Sequence, residues 1–252
     1  MENILLVGLS RQVALSREMD VVANNIANIN TTGYKADGSL FAEYLSSNAR
    51  TGDNGSGRIS FVQDSGIWHD MSQGAVERTG NPLDVAIDGQ GFLVVRTPNG
   101  ERYTRNGSLQ INAQGQLVTG DGNQVMGDGG PVAFQPNDRQ VSISRDGTIS
   151  VRQGNSKVDS VRGRLRLVDF PDPKQLQKEG GGIFSATDGG TPQAAKSAAI
   201  VQGALEKSNV RGVVEMSRMI EITRTYAQVA SLMQQQGDMS TQAIDKLADV
   251  PA

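Results

Sequence analysis

The sequence has no cysteine, one histidine and one tryptophan among its 252 residues, and aromatic side chains make up only 4% of it. The missing cysteine excludes disulfides and thiolate metal sites. His69, beside Trp68, lacks the partners that a catalytic triad or a histidine metal cluster needs. One Trp, four Tyr and six Phe are thin material for a sugar-stacking platform. No sign of charge dominates: 24 basic residues stand against 27 acidic ones, mixed throughout, so nucleic acid is not an expected partner. No apolar run approaches the roughly 20 residues of a membrane span. The apolar patch Ile4-Leu5-Leu6-Val7 follows Glu2 with no cationic stretch ahead of it, and Ser10-Arg11-Gln12 is not a small-residue cleavage site. Any export is therefore expected to proceed without a cleaved signal peptide.

Helix breakers are scarce at both ends and dense between them. Proline is absent before Pro82 and between Pro192 and Pro251, and only Gly8, Gly33, Gly212 and Gly237 fall within residues 1–35 or 210–252. In the first segment Leu15, Met19, Val22, Ile26 and Ile29 recur at heptad-like spacing, which predicts one apolar helix face. Asn30-Thr31-Thr32-Gly33 stops it, with Gly33 suited to a left-handed turn. The last segment repeats the pattern in Met219, Ile222, Tyr226, Val229 and Met233, with a second apolar face through Val213, Met216 and Ile220. The middle alternates apolar and polar residues, as in Leu83-Val85-Ile87, Val141/Ile143 and Ile149/Val151. Asn99-Gly100, Asn106-Gly107, Asp121-Gly122, Asp128-Gly129 and Asp146-Gly147 supply hairpin turn pairs.

The expected fold class is α+β: long N- and C-terminal helices paired as a coiled-coil-like assembly domain, with an inserted, mainly antiparallel β domain. The expected divisions are an N-terminal helix at 1–35, a connector at 36–75, the β domain at 76–200 and a C-terminal helix at 201–252. Asn48–Gly57 reads as a flexible loop, with Ile59-Ser60-Phe61-Val62 strand-like after it, although the same composition fits a disordered surface excursion.

Candidate chemistry is weak wherever it is sought. Asp84, Asp88 or Glu77 could form a carboxylate pair for glycoside hydrolysis, but Asp84 and Asp88 alternate with apolar residues as solvent-facing strand positions do. Gly89-Gln90-Gly91 is half of a dinucleotide fingerprint with no βαβ helix behind it, and a tight turn explains it better. Asp121-Gly122-Asn123 and Asp128-Gly129 lack the spacing of a calcium loop. No catalytic, cofactor-binding or metal-binding residue is assigned, and no cofactor is expected.

An apolar helix stripe must be buried against something. Two stripes at opposite ends of a chain whose β domain has its own core suggest a helix pair completed by other subunits, which would extend head to tail into a filament or tube. The periodicity fits equally well ordinary helices packed on their own β domain. Asn24, Asn25, Asn28 and Asn30 weaken an isolated helix end; they fit either fraying near a cap or amide hydrogen bonds across subunits.

Three stretches carry a more specific signal. Asn24-Asn25-Ile26-Ala27-Asn28-Ile29-Asn30-Thr31-Thr32-Gly33-Tyr34-Lys35 resembles the N-terminal signature of flagellar basal-body rod and hook proteins. Gly80–Phe92 and Arg102-Tyr103-Thr104-Arg105-Asn106-Gly107 resemble the start of that family's β domain. Gly203-Ala204-Leu205-Glu206-Lys207-Ser208-Asn209-Val210 resembles its C-terminal signature, and this form of the block, with Asn81-Pro82-Leu83-Asp84, is similar to the proximal rather than the distal rod proteins. The resemblance implies a structural subunit of the flagellar rod that crosses the periplasm, with the helices lining an inner tube that transmits torque and contains the export channel. It implies other rod and axial proteins, copies of the same chain and the flagellar export apparatus as partners. The helix stripes and signature residues named above, Leu205, Ser208, Asn209 and Val210 among them, would make the subunit contacts. A rival of another class is a periplasmic protein that binds or hydrolyses cell-wall glycan.

Overall fold

A computed structural model describes residues 2–50, 58–154, 158–187, 190–195 and 197–248. The fold is α+β, with a helix at each end and a mainly antiparallel β domain. It opens with α1 (Glu2–Ala27), β1 (Asp37–Arg50), β2 (Arg58–His69), β3 (Val76–Arg78) and β4 (Val85–Asp88). Then come β5 (Phe92–Thr97), β6 (Gly100–Thr104), β7 (Leu109–Ile111), β8 (Leu117–Thr119), β9 (Gln124–Gly127) and β10 (Gly130–Pro131). The middle continues through β11 (Asp138–Ile143), β12 (Thr148–Gln153), β13 (Asp159–Arg164) and β14 (Leu167–Asp169). The last elements are β15 (Leu176–Gly180), β16 (Ile183–Ala186), β17 (Gln193–Ala194), β18 (Ala199–Gln202), β19 (Ala204–Glu206) and α2 (Gly212–Ala248). Two compact units result: Met1–Ala27, Asp37–Trp68 and Arg211–Ala252 form one, and Asn28–Ala36 with His69–Val210 forms the other.

The second unit is the β body. Its main sheet has ten strands, in the order β15-β16-β6-β5-β9-β8-β7, with β10 on β9, β14 on β5 and β17 on β14. β5 sits inside the sheet and is covered on both faces. Leu93 and Val95 enter one apolar cluster with Val85, Ile87 and Val125, while Phe92 and Val94 enter another with Tyr103, Phe170 and Phe184. A strand buried on both faces reads as a continuous apolar run rather than an alternating one, and Phe92-Leu93-Val94-Val95 is such a run. The β5–β6, β8–β9 and β11–β12 hairpins turn at Asn99-Gly100, Asp121-Gly122 and Asp146-Gly147, whose glycines all have positive φ.

Two expectations need correction. Asn106-Gly107 does not turn a hairpin: Gly107 is there because a Cβ would lie 1.7 Å from the Val85 carbonyl oxygen, and the Val85 N–H donates to the Gly107 carbonyl at 2.9 Å. Asp84 does not face solvent. It is buried, accepts a hydrogen bond from Asn81 Nδ2 at 3.0 Å, and adjoins a strand whose Val85, Ala86 and Ile87 are all buried, so alternation carries no inside–outside meaning there. Asp88 is exposed as expected.

The body is closed by its own chain ends. β18 pairs with β4 through Ile200↔Ile87 and Val201↔Ala86, and β19 pairs with β3 through Leu205↔Glu77 and Glu206↔Val76. The last strands of the body thus lie beside its first.

In the first unit, α1 and α2 run antiparallel, as three contacts show: Asn25 with Glu215, Glu18 with Arg218, and Gly8 against Met233. Leu15, Val22 and Ile222 are buried in the seam, with Met19, Ile26, Met219 and Val229 packed around them. Residues 36–75, read above as a connector, hold the two long strands β1 and β2, which pair with each other. Of the loop proposed at Asn48–Gly57, residues 51–57 lie outside the described residues. Trp68 stacks over Gly38, where a Cβ would fall 2.3 Å from the indole Nε1; glycine is what admits the ring.

Candidate functional site

The helix seam is the first place where the expected residues meet. Leu15, Met19, Val22 and Ile26 of α1 face Met219, Ile222 and Val229 of α2, as their spacing predicts. Burying Leu15, Val22 and Ile222 contributes about 1.5–3 kcal/mol each, and the partly buried side chains around them contribute less. Arg218 adds two donors to Glu18 Oε1, at 2.7 and 3.0 Å, a half-exposed pair worth about 1 kcal/mol or less. Met233 closes the far end against Gly8, where a Cβ would lie 2.9 Å from its Cγ. Met216, Ile220 and Tyr226 are exposed instead, with Val213 beside them at 76% and Ile220 at 63% exposure. Ile29 lies past the end of α1 and is half-buried in the β body.

The asparagines divide. Asn24 and Asn30 are exposed. The Asn28 carbonyl accepts from the Thr31 N–H at 3.1 Å, and its Oδ1 from the Thr31 hydroxyl, which forms the turn that ends α1. Asn25 is 1% exposed and behaves as a strand partner made from a side chain. Its Nδ2 donates to the Asp37 carbonyl at 2.8 Å, its Oδ1 accepts from the Asp37 N–H at 2.9 Å, and Nδ2 also reaches Glu215 Oε2 at 3.3 Å. One amide thereby ties α1 to β1 and to the first turn of α2.

A second convergence, in the β body, was not expected. The segment after α1 bends at Gly33, whose φ is +68° and whose N–H donates to the Glu206 carbonyl at 2.8 Å. Tyr34 is buried with the Lys178 ammonium 3.4 Å from its ring centroid, a cation–π contact. Next to it Lys35, with a fully buried side chain, donates to Glu206 Oε1 at 2.6 Å and to the Ser72 carbonyl at 2.6 Å. Arg105 donates through Nε to Glu206 Oε2 at 2.8 Å, and its remaining nitrogens reach the carbonyls of Ile87, Gly89 and Gly91. The Gly74 N–H also donates to Glu206 Oε1, at 3.0 Å. One carboxylate therefore serves two buried cations. Burial pushes the Lys35 ammonium below the ordinary lysine range, against the opposing pull of the Glu206 carboxylate.

Asn209 completes this knot. Its Oδ1 accepts from the Ala36 N–H at 2.7 Å, and its Nδ2 donates to the carbonyls of Asp70 and Ser72 at 2.8 and 3.1 Å. Ser208 Oγ accepts from the Val210 N–H at 3.3 Å, Val210 is buried, and Leu205 is half-buried. Leu205, Ser208, Asn209 and Val210, expected as contact residues, surround Glu206, whereas Glu206, Lys35 and Arg105 do not stand out in the sequence. Their one available signal was membership of the three signature stretches, since a charged residue's burial is not visible in a single sequence. His69 packs edge-on against Phe184 at 5.8 Å between ring centroids, and among the described residues no cluster of potential metal ligands occurs.

The geometry is that of a fastener: apolar seams and saturated polar ties hold segments far apart in the chain together. Comparison with known proteins gives the family. Three family models match: "Flagella basal body rod protein" over residues 5–35, "Flagellar hook protein FlgE/F/G D1 domain" over 86–151, and "Flagellar basal body rod FlgEFG protein C-terminal" over 201–246. The chain is 41% identical to the flagellar basal-body rod protein FlgF of Caulobacter vibrioides, over 99% of this chain and 100% of that one. It is 34% identical to FlgF of Escherichia coli over 90% of each chain, and 32% identical to the rod protein FlgG of Bacillus subtilis over 87% of this chain and 89% of that one. The chain belongs to the flagellar basal-body rod protein family. It is a structural subunit of the basal body, and among the described residues no helix is long and apolar enough to cross a membrane.

Proposed function

We propose that α1 and α2 are the assembly elements of this rod subunit, joining copies of the chain and other axial proteins into a tube that crosses the periplasm. Rigid packing of the helices transmits torque, the tube contains the export channel, and the flagellar export apparatus delivers the chain without a cleaved signal peptide. The coiled-coil-like pair is then half of a larger helical packing, finished by neighbouring subunits.

The observation that carries this reading is the unused apolar face of α2. While Met219, Ile222 and Val229 fill the seam with α1, Val213, Val214, Met216 and Ile220 stay exposed on the same helix. Contiguous exposed apolar surface on a helix marks an interaction site. Ile244, further along α2, is exposed as well.

The test is Val213→Glu with Ile220→Glu in the full chain, replacing the wild type in a motile cell. The expected result is unchanged circular dichroism and melting of the purified variant, with loss of swimming and of rods from isolated basal bodies. Swimming at the wild-type level would overturn the proposal.

A further inference from the structure

We infer that the Lys35–Arg105–Glu206 knot is a completeness latch: the β body stays open around Lys35 and Arg105 until Glu206 arrives, and its closure is the last step of folding. The inference goes beyond the assembly reading, because it concerns the body alone.

Sequence distance comes first. Lys35 and Glu206 are 171 residues apart, and Arg105 and Glu206 are 101 apart. A chain that emerges N-terminus first presents both cations long before the carboxylate. Non-local closures of this size are the slow contacts of a β fold.

Charge makes the delay obligatory. Lys35 and Glu206 have fully buried side chains and Arg105 is almost as deep. Burying two cations without Glu206 carries a desolvation penalty that the weaker pull of the Asp70 carboxylate on Lys35 offsets only in small part. The remaining partners are the carbonyls of Ser72, Ile87, Gly89 and Gly91, which orient the cations but do not neutralise them. Before Glu206 arrives, water remains the better solvent for both cations, and segments 33–36, 72–75 and 87–91 have no centre to close upon.

Strand order points the same way. β19, which ends on Glu206, pairs with β3 beside Gly74, and the Lys207 N–H donates to the Ala75 carbonyl at 2.8 Å. Pairing of the last strand and neutralisation of the knot are therefore one event. No residue of either helix belongs to the knot, since α1 ends at Ala27 and α2 begins at Gly212.

Stopped-flow folding of the full-length chain tests this, with Glu206→Gln and Lys35→Met. Contacts made after the transition state change unfolding and leave refolding alone. For Glu206→Gln, which leaves two buried cations around a neutral amide, the unfolding rate should rise roughly 100-fold or more while the refolding rate stays within about twofold. Lys35→Met leaves a neutral Arg105–Glu206 pair, and its smaller change should also fall on the unfolding limb. Lys35→Met keeps the test decisive if Glu206→Gln does not fold. Slower refolding in either variant, with unfolding unchanged, would place the knot in the folding nucleus and overturn the inference.

Discussion

Replacing Asn25 by alanine should loosen the helical unit and leave the β body untouched. The amide of Asn25 saturates both the N–H and the carbonyl of Asp37, and both residues are buried. Alanine leaves two backbone groups short of their partner, at about 1–3 kcal/mol each, so the loss should be roughly 2–4 kcal/mol. Aspartate is no milder a replacement. It keeps an acceptor for the Asp37 N–H, loses the donor to the carbonyl, and sets a second carboxylate where Nδ2 now lies 3.3 Å from Glu215 Oε2. The assay is urea unfolding of the full chain followed by Trp68, the single tryptophan, which stacks on Gly38 next to Asp37. With a slope of about 2 kcal/mol per molar urea, the Trp68 midpoint should fall by about 1–2 M. Amide exchange in β5 and β9 should not change. Equal weakening of the body, or an unmoved Trp68 midpoint, would refute the reasoning.

Three further outcomes are expected. Gly33→Val forces a branched residue into φ +68° and sets Cβ 2.5 Å from the Arg105 carbonyl carbon; the backbone alone costs about 1–2 kcal/mol, so melting temperature and motility should both fall. Gly8→Leu drives into Met233 and should destabilise the helix pair by about 1–3 kcal/mol by circular dichroism, with partial recovery on adding Met233→Ala. The Arg162 guanidinium, at 2.5 and 2.6 Å, holds the Asp138 carboxyl below its usual range. A depressed carboxyl stabilises the fold above its unfolded value and loses that contribution as pH falls through the folded one. Melting temperature followed downward from about pH 5 should therefore fall more steeply in the wild type than in Asp138→Asn.

The helices were legible because their stripes have a period and their ends lack breakers; Leu15, Val22 and Ile222 meet as that period requires. The hairpins at Gly100, Gly122 and Gly147 were legible because positive φ selects a residue type. β5 escaped notice as an alternating strand because it faces two cores, and Asp84 was misread because alternation presumes one wet face. β1 was obscured by the polar, glycine-rich composition that follows it, whereas the strand-like Ile59-Ser60-Phe61-Val62 does lie in β2. The knot was hidden most thoroughly. Lys35, Arg105 and Glu206 carry the residue types expected at a surface, and only their meeting across the fold makes burial tolerable.

Limited proteolysis of the purified monomer, with fragment masses read by mass spectrometry, tests most directly the claim that the helical unit is less stable than the β body until neighbouring subunits cover it. The account predicts rapid loss of α1 and α2 and a resistant β body that extends through Glu206 and Asn209, to about residue 210. Helices as resistant as that body would mean that the seam of Leu15, Val22 and Ile222 suffices without neighbours, and would contradict it.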